Sequence, residues 1–208
     1  MKRFVLALSC ALAGITPAIT EASLRLQIGP ERGADAVDAV VAPGSAEHFF
    51  DLVFNESGPP VNEHLIAYDV GVDAARPGLS LVRAEKPDNW VLPDADAVFG
   101  QQEVRPDHVL VNASFALSYS GPLADITSGA KAARVYYTVD PGTAPGLYRI
   151  TLNPNQTVFG FGDPNCDSCY AVAIDDPGVV LVTPEPAGLA LLSVAGAILV
   201  CPRPRLRA

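Results

Sequence analysis

The chain is poor in the residues that usually carry chemistry. It has four cysteines, three histidines, one methionine and one tryptophan in 208 residues. The histidines His48, His64 and His108 are far apart, and none has a metal-binding or protease spacing. No G-x-S-x-G, H-E-x-x-H or phosphate-loop pattern occurs, which removes the common hydrolase and nucleotide-binding readings. Basic residues are scarce as well. Between Ser23 and Thr183 there are 21 Asp and Glu against nine Lys and Arg, a net charge of −12. Such a surface excludes nucleic acid as a partner, because phosphate neutralisation needs a basic patch. It argues equally against anionic lipid and suits a protein kept soluble by self-repulsion. Helical periodicity is absent too. No 3.6-residue pattern runs beyond a turn or two, and the most helix-like stretch, Asp94 to Phe99, amounts to one turn at best.

What is present lies partly at the two ends. "MKRFVLALSCALAGITPAITEAS" has Lys2 and Arg3, an apolar stretch, and small residues at Thr20 and Ala22 before a cut near Ser23. This is the form of a secretory signal peptide over residues 1–22. Cys10 raises a lipoprotein alternative, but Ala7 stands where a lipobox normally has Leu. At the other end, Pro184-Glu185-Pro186 precedes an uncharged run from Ala187 to Val200, followed by Arg203, Arg205 and Arg207. A helix of that run would reach about 21 Å, short of the roughly 30 Å of a bilayer core. Cations behind such a run favour the cytoplasmic side. Those three parts in that order resemble the PEP-CTERM sorting signal, a tail also filed as the ice-binding protein C-terminal domain. The resemblance implies a sorting signal over 184–208 made of the Pro-Glu-Pro motif, an apolar helix and an Arg-rich end, with handling by an exosortase-type enzyme after export and a cell-envelope or extracellular address.

Residues 23–183 then form a single domain, long enough for a sizeable core. Its only cysteines, Cys166 and Cys169, lie in the turn-rich "GDPNCDSCYAV". Four-ligand zinc lacks a second pair, and a redox helix is out of keeping with Gly, Asp, Pro and Asn neighbours. In an exported chain a disulfide is the expected state. Its small loop would remove only about 2 kcal/mol of chain entropy. Asp163, Asn165 and Asp167 alternate like the start of a calcium loop, yet an EF-hand would need Gly at Ser168 and Glu at Ile174. Calcium binding there stays open, and no cofactor or metal site is expected elsewhere. The sequons at Asn55, Asn112 and Asn155 matter only in a eukaryotic secretory route.

Period two dominates this segment. "HFFDLVFN" puts Phe50, Leu52 and Phe54 on one face and Asp51 and Val53 on the other; Tyr148, Ile150 and Leu152 alternate with Arg149 and Thr151. That is the strand period. The pattern predicts strands near 24–28, 36–41, 47–54, 65–72, 79–84, 109–119, 133–139, 147–152, 157–161, 170–174 and 178–182. Turn sequences such as "APGS", "RPGL", "DPGTAPG", "NPNQ" and "DDPG" punctuate them. Short strands between turns argue an all-β sandwich. The six apolar residues named above should face inward, with His48 structural at a strand head and Trp90 capping the core.

"VAPGSAEHFFDLVFNES", "LIAYDVGVDAARPGLSLVRAEKPDNW" and "AARVYYTVDPGTAPGLYRITL" together are similar to the cohesin-like and carbohydrate-binding β-sandwiches. The resemblance implies a jelly-roll-like fold of about nine strands in two sheets. Members of those groups bind dockerin modules or glycans, so an extracellular polysaccharide or another surface protein is the implied partner. A row of exposed aromatics that would mark a glycan platform is missing. A structural or binding role follows, with a secreted polysaccharide hydrolase as the alternative. A cleft with converging carboxylates or histidines would distinguish the second. Paired acids such as Asp94 and Asp96, or Asp175 and Asp176, are the residues such a cleft could use.

Overall fold

A computed structural model describes residues 23–29, 37–57, 64–92, 97–115, 124–161, 172–174 and 177–184. Among these, all regular structure is β-strand. The strands are β1 (Ser23–Ile28), β2 (Ala39–Val41), β3 (His48–Ser57), β4 (His64–Ala74), β5 (Leu79–Glu85), β6 (Ala97–Arg105), β7 (His108–Phe115), β8 (Ala124–Asp125), β9 (Lys131–Val139), β10 (Gly146–Phe161), β11 (Val172–Ile174) and β12 (Gly178–Val182). They form two sheets. The first has the order β11-β1-β3-β9-β5; the second has the order β2-β12-β10-β4-β7-β6, with β8 also paired to β4. The expected terminal helices lie outside the described residues, and no described helix is long and apolar enough to cross a membrane.

The core forms where the inner faces meet. Leu24, Leu26 and Ile28, Phe50, Leu52 and Phe54, and Val135, Tyr137 and Val139 come from the first sheet. Tyr68, Val70 and Val72, Val109 and Val111, and Tyr148, Ile150 and Leu152 oppose them from the second. All six residues expected inside are buried, and Arg149 is exposed as its phase requires. A one-residue slip would exchange each set with its polar neighbours, so burial fixes the register. Each large apolar side chain so buried contributes about 1.5–3 kcal/mol. One lateral side is stitched shut. The Leu81 N–H donates to the Pro106 carbonyl at 2.7 Å, and the Ala84 N–H donates to Gln101 Oε1 at 2.5 Å.

Trp90 packs half-buried against the core. Its Nε1–H donates to the Tyr68 hydroxyl at 2.8 Å, and that hydroxyl donates in turn to the Ala132 carbonyl. Burial holds the Tyr68 phenol far above its usual pKa, against the bond from Trp90 that works to lower it. The ring of Phe99 meets Trp90 edge-on at 6.0 Å. Trp90 therefore caps the core, as its setting suggested.

Three expectations need correction. Twelve strands are described rather than about nine. Residues 147–152 and 157–161 are not two strands but one, β10, with a break in pairing between Asn153 and Val158. "NPNQ" is therefore a bulge and not a turn. Pro154 has no N–H to give the ladder, and the extra residues fold over Gly71, where a Cβ would meet Gln156 Cβ at 2.8 Å. Finally, Phe99 belongs to β6, not to a helical turn. This edge strand has only half-buried positions on its better face, so its alternation is faint in sequence.

Candidate functional site

Both sheets turn one face outward, and the two faces differ in chemistry. The outer face of the first sheet is filled by long side chains that bind one another. Arg134 grips Asp51 with two bonds, Nε to Oδ1 at 2.8 Å and Nη2 to Oδ2 at 3.2 Å, and Lys131 Nζ lies 2.6 Å from Oδ2. Burial works to raise the pKa of the Asp51 carboxyl. The bonds and charges of Arg134 and Lys131 outweigh it and hold the group below the ordinary carboxylate value. Arg134 also covers the ring of Phe49 at 4.1 Å, and Arg83 covers Tyr136 at 3.5 Å. Arg83 pairs with Glu47 at 2.8 Å and with Glu85. Phe49 keeps 52 % of its surface exposed, yet its neighbours are already matched.

The outer face of the second sheet has short side chains instead. With Tyr68, Val70 and Val72 inside, β4 turns Ala67, Asp69, Gly71 and Asp73 outward. Pairing aligns these with neighbours in rows. One row runs Val98, Ser114, Ala67, Gly160; the next runs Gly100, Asn112, Asp69, Val158. The rows enclose a shallow hollow of about 380 Å³ lined by Ala67, Asp69, Gln102, Asn112, Ser114 and Val158. Val158, in its lining, is 60 % exposed, and Val98, at the end of the first row, is 65 % exposed. Sequence reasoning missed this face because its members come from four strands and no single run announces them.

At the far end of the same sheet, His108 Nδ1–H donates to Asp73 Oδ1 at 2.6 Å, and Asn153 Nδ2 donates to Asp73 Oδ2 at 2.9 Å. His108 is only 5 % exposed, and its Nε2 has no partner among the described residues. No nucleophile accompanies this pair among the contacts of the described residues. His48 heads β3, within 2.9 Å of the Ser45 hydroxyl, and its ring lies 5.7 Å from Tyr137. That placement is structural. His64 opens β4.

Of the residues singled out at the sequence level, Pro184 is exposed at the end of the described chain. Glu185, Pro186, Arg203, Arg205, Arg207, Cys166, Cys169, Asp163, Asn165, Asp167, Asp94, Asp96, Asp175 and Asp176 lie outside the described residues. Among the described residues no group of three or more His, Cys, Asp or Glu is placed to hold a metal ion.

No protein-family model matches the sequence, and no curated protein matches it. Solved structures do match its fold. A type I cohesin from Clostridium thermocellum, solved as a cohesin–dockerin complex, is 15% identical over 77% of this chain and 99% of its own, with a TM-score of 0.54. The sixth cohesin of scaffoldin B from Acetivibrio cellulolyticus, solved with a dockerin, is also 15% identical, covers 77% of this chain and 99% of its own, and has a TM-score of 0.53. A non-cellulosomal cohesin from the archaeon Archaeoglobus fulgidus is 11% identical over 81% of this chain and 97% of its own, with a TM-score of 0.50. The described residues thus share a cohesin-like β-sandwich fold with these proteins.

Proposed function

We propose that this chain is an exported envelope or extracellular protein whose sandwich binds another protein through the outer face of β10-β4-β7-β6. It acts by binding and not by catalysis. The observation that carries the reading is the hollow of mostly short side chains that holds the exposed Val158, with the exposed Val98 on the same face. Flat, small-residue surfaces with exposed apolar corners admit close approach of a partner backbone, and such patches mark interaction sites. Asp69 at the centre suits a partner that brings a cation or an N–H donor. The cohesin-like fold supports the reading, since two of the similar structures were solved bound to dockerin modules.

Export and sorting rest on the two ends. The signal-peptide pattern of residues 1–22 and the Pro184-Glu185-Pro186 tail with its arginines support passage through the export machinery and processing by an exosortase-type enzyme. The tail would hold the chain transiently in the membrane before release to the envelope or matrix. The expected Cys166–Cys169 disulfide fits that oxidising route.

A photo-crosslinking residue placed at Ser114 in the native host tests the docking face, with Thr138 on the first sheet as the control. A discrete protein adduct at Ser114 and none at Thr138 is expected. Equal labelling at both, or none at either, overturns the reading. Mass spectrometry of the protein from the same host tests the sorting. An intact C-terminus through Ala208 overturns it.

A further inference from the structure

An apolar row lies at the end of the sandwich from which the C-terminal segment leaves. Pairing sets Val40 of β2 beside Leu181 of β12, and Leu181 beside Leu147 of β10. The three stand on the outer face of the second sheet, in the phase opposite to the buried Val41, Tyr148 and Val182. Val40 is 64 % exposed and Leu147 52 %, with Leu181 half-buried between them. Two turns extend this surface. The Gly44 N–H donates to the Val139 carbonyl at 2.9 Å, and a Cβ on Gly44 would lie 3.7 Å from Pro141, so the turn after β2 rests against the turn before β10. Gly44, Ala46, Pro141, Gly142, Ala144 and Pro145 are exposed there.

This end is supplied by residues 39–46, 141–148 and 178–184, which include no Asp, Glu, Lys or Arg. Glu47, Asp140 and Arg149 follow only at its border. In a domain with a net charge of −12, such a surface stands apart. Burying a charge against an apolar medium is costly, and this end avoids that cost. Exposed apolar patches mark protein or membrane contacts. A second copy would bring its own acidic charge against the first and be repelled. A zwitterionic lipid surface brings no net charge.

The chain path favours the lipid. The Thr183 N–H donates to the Val41 carbonyl at 2.9 Å, which fixes the exit of the chain beside the row. Only Pro184, Glu185 and Pro186 separate Thr183 from the uncharged run that begins at Ala187. Such a link reaches at most about 14 Å. A bilayer that holds the run therefore has this end of the sandwich close to its surface. Val98 lies at the opposite end of the sheet, in the row of Ser114, Ala67 and Gly160.

We propose that the uncharged end rests on a zwitterionic lipid surface through Val40, Leu181 and Leu147 while the tail is held in the membrane. This rests on the reading of the tail as a transient membrane holder. The contact orients the domain, with the Val98 end of the docking face turned away from the lipid.

The test uses the exported chain with its tail intact and vesicles of phosphatidylcholine. A polarity-sensitive fluorescent amino acid is built in at Val40 or, as the control, at Val98. The chain should float with the vesicles, the probe at position 40 should shift to the blue, and the probe at 98 should not. Val40→Glu combined with Leu147→Glu should lower vesicle partitioning about ten-fold, the scale of burying one apolar side chain. Val98→Glu should leave it unchanged. Urea melts verify the folds, and the probe at position 40 carries the test if the double variant unfolds. A chain that floats with an unshifted probe at 40 overturns the contact and leaves the tail reading standing. A chain that does not float overturns both. A blue shift at 40 before vesicles are added puts the apolar run or a second copy on the row and overturns the lipid contact, as does unchanged partitioning of a folded double variant.

Discussion

The two outward faces are built on the same strand period and the same shared core, yet they do opposite things with their polar residues. On the first sheet, Asp51, Arg134, Lys131, Arg83, Glu47 and Glu85 consume one another's charge, and the arginines also cover the exposed rings of Phe49 and Tyr136. On the second, Asp69, Asn112 and Ser114 stand in rows with glycine and alanine, and Gln102 and Val158 join them in lining a shallow hollow. A charge already paired offers a partner little, because its desolvation must be repeated for the new contact. A face of short side chains offers backbone-close contact and unspent polar groups. The contrast teaches that two faces built on one strand period can differ in whether neighbouring strands supply long, mutually paired charges or short side chains.

Substitutions can break or sharpen this contrast. The largest effect belongs to the core that both faces share. Phe54→Ala should cost about 3–5 kcal/mol, while Arg149→Ala on the outward phase should cost under about 1 kcal/mol. Paired urea melts compare them, and equal midpoints would mean that the faces are wrongly assigned. Next comes the ion-pair network. Asp51→Asn should cost about 1.5–3 kcal/mol at neutral pH, the scale of hydrogen bonds to a charged group. The folded Asp51 pKa is lowered, so its contribution is fully present above the unfolded value near 4 and is lost as pH falls through the lower folded value. The gap between wild type and Asp51→Asn should therefore be constant from pH 7 to about 5 and shrink below about 4. A gap that widens in acid would contradict the assignment.

Smaller effects test the open face. Gly71→Ala places a Cβ against Gln156 and Asn153 under the β10 bulge, and should cost about 1–2 kcal/mol by urea melt because the bulge must shift. Val158→Ser and Ser114→Ala, on the hollow, should change stability by less than about 0.5 kcal/mol. Loss of partner capture at Val158→Ser with an unchanged melt would set the second face apart from the first. A destabilisation comparable to Asp51→Asn would show that this face is structural instead. Smallest of all, replacing both Cys166 and Cys169 by Ser should leave the global melt nearly unmoved, since a bond across so few residues constrains the unfolded chain little. Alkylation of both thiols without prior reduction would contradict the expected disulfide itself.

Most strands were legible because their inner faces are fully buried. At β3 the alternation is clean, and along most of β4, β7 and β9 buried positions recur at every second residue. β6 was not legible. As the last strand of its sheet it buries neither face fully, so selection on its pattern is weak. The bulge in β10 read as a turn because proline and asparagine have the same local preferences in both, and what separates them is whether Gly71 lies opposite. The hollow on the second sheet could not be found in a linear reading. Asp69, Asn112 and Val158 are brought together by register alone.

The sequence by itself determined the strand period, the inward residues and the all-β class, because alternation is local and burial punishes any slip by one. It also set the acidic charge, and its two ends carry the linear patterns on which the export and sorting proposal rests. Tertiary structure alone decided which strands became neighbours, which charges found partners on the first sheet, and which short side chains line the hollow on the second. Those depend on distances between residues far apart in the chain, such as Asp51 and Arg134 or Asp38 and Val179, and no local preference encodes such distances.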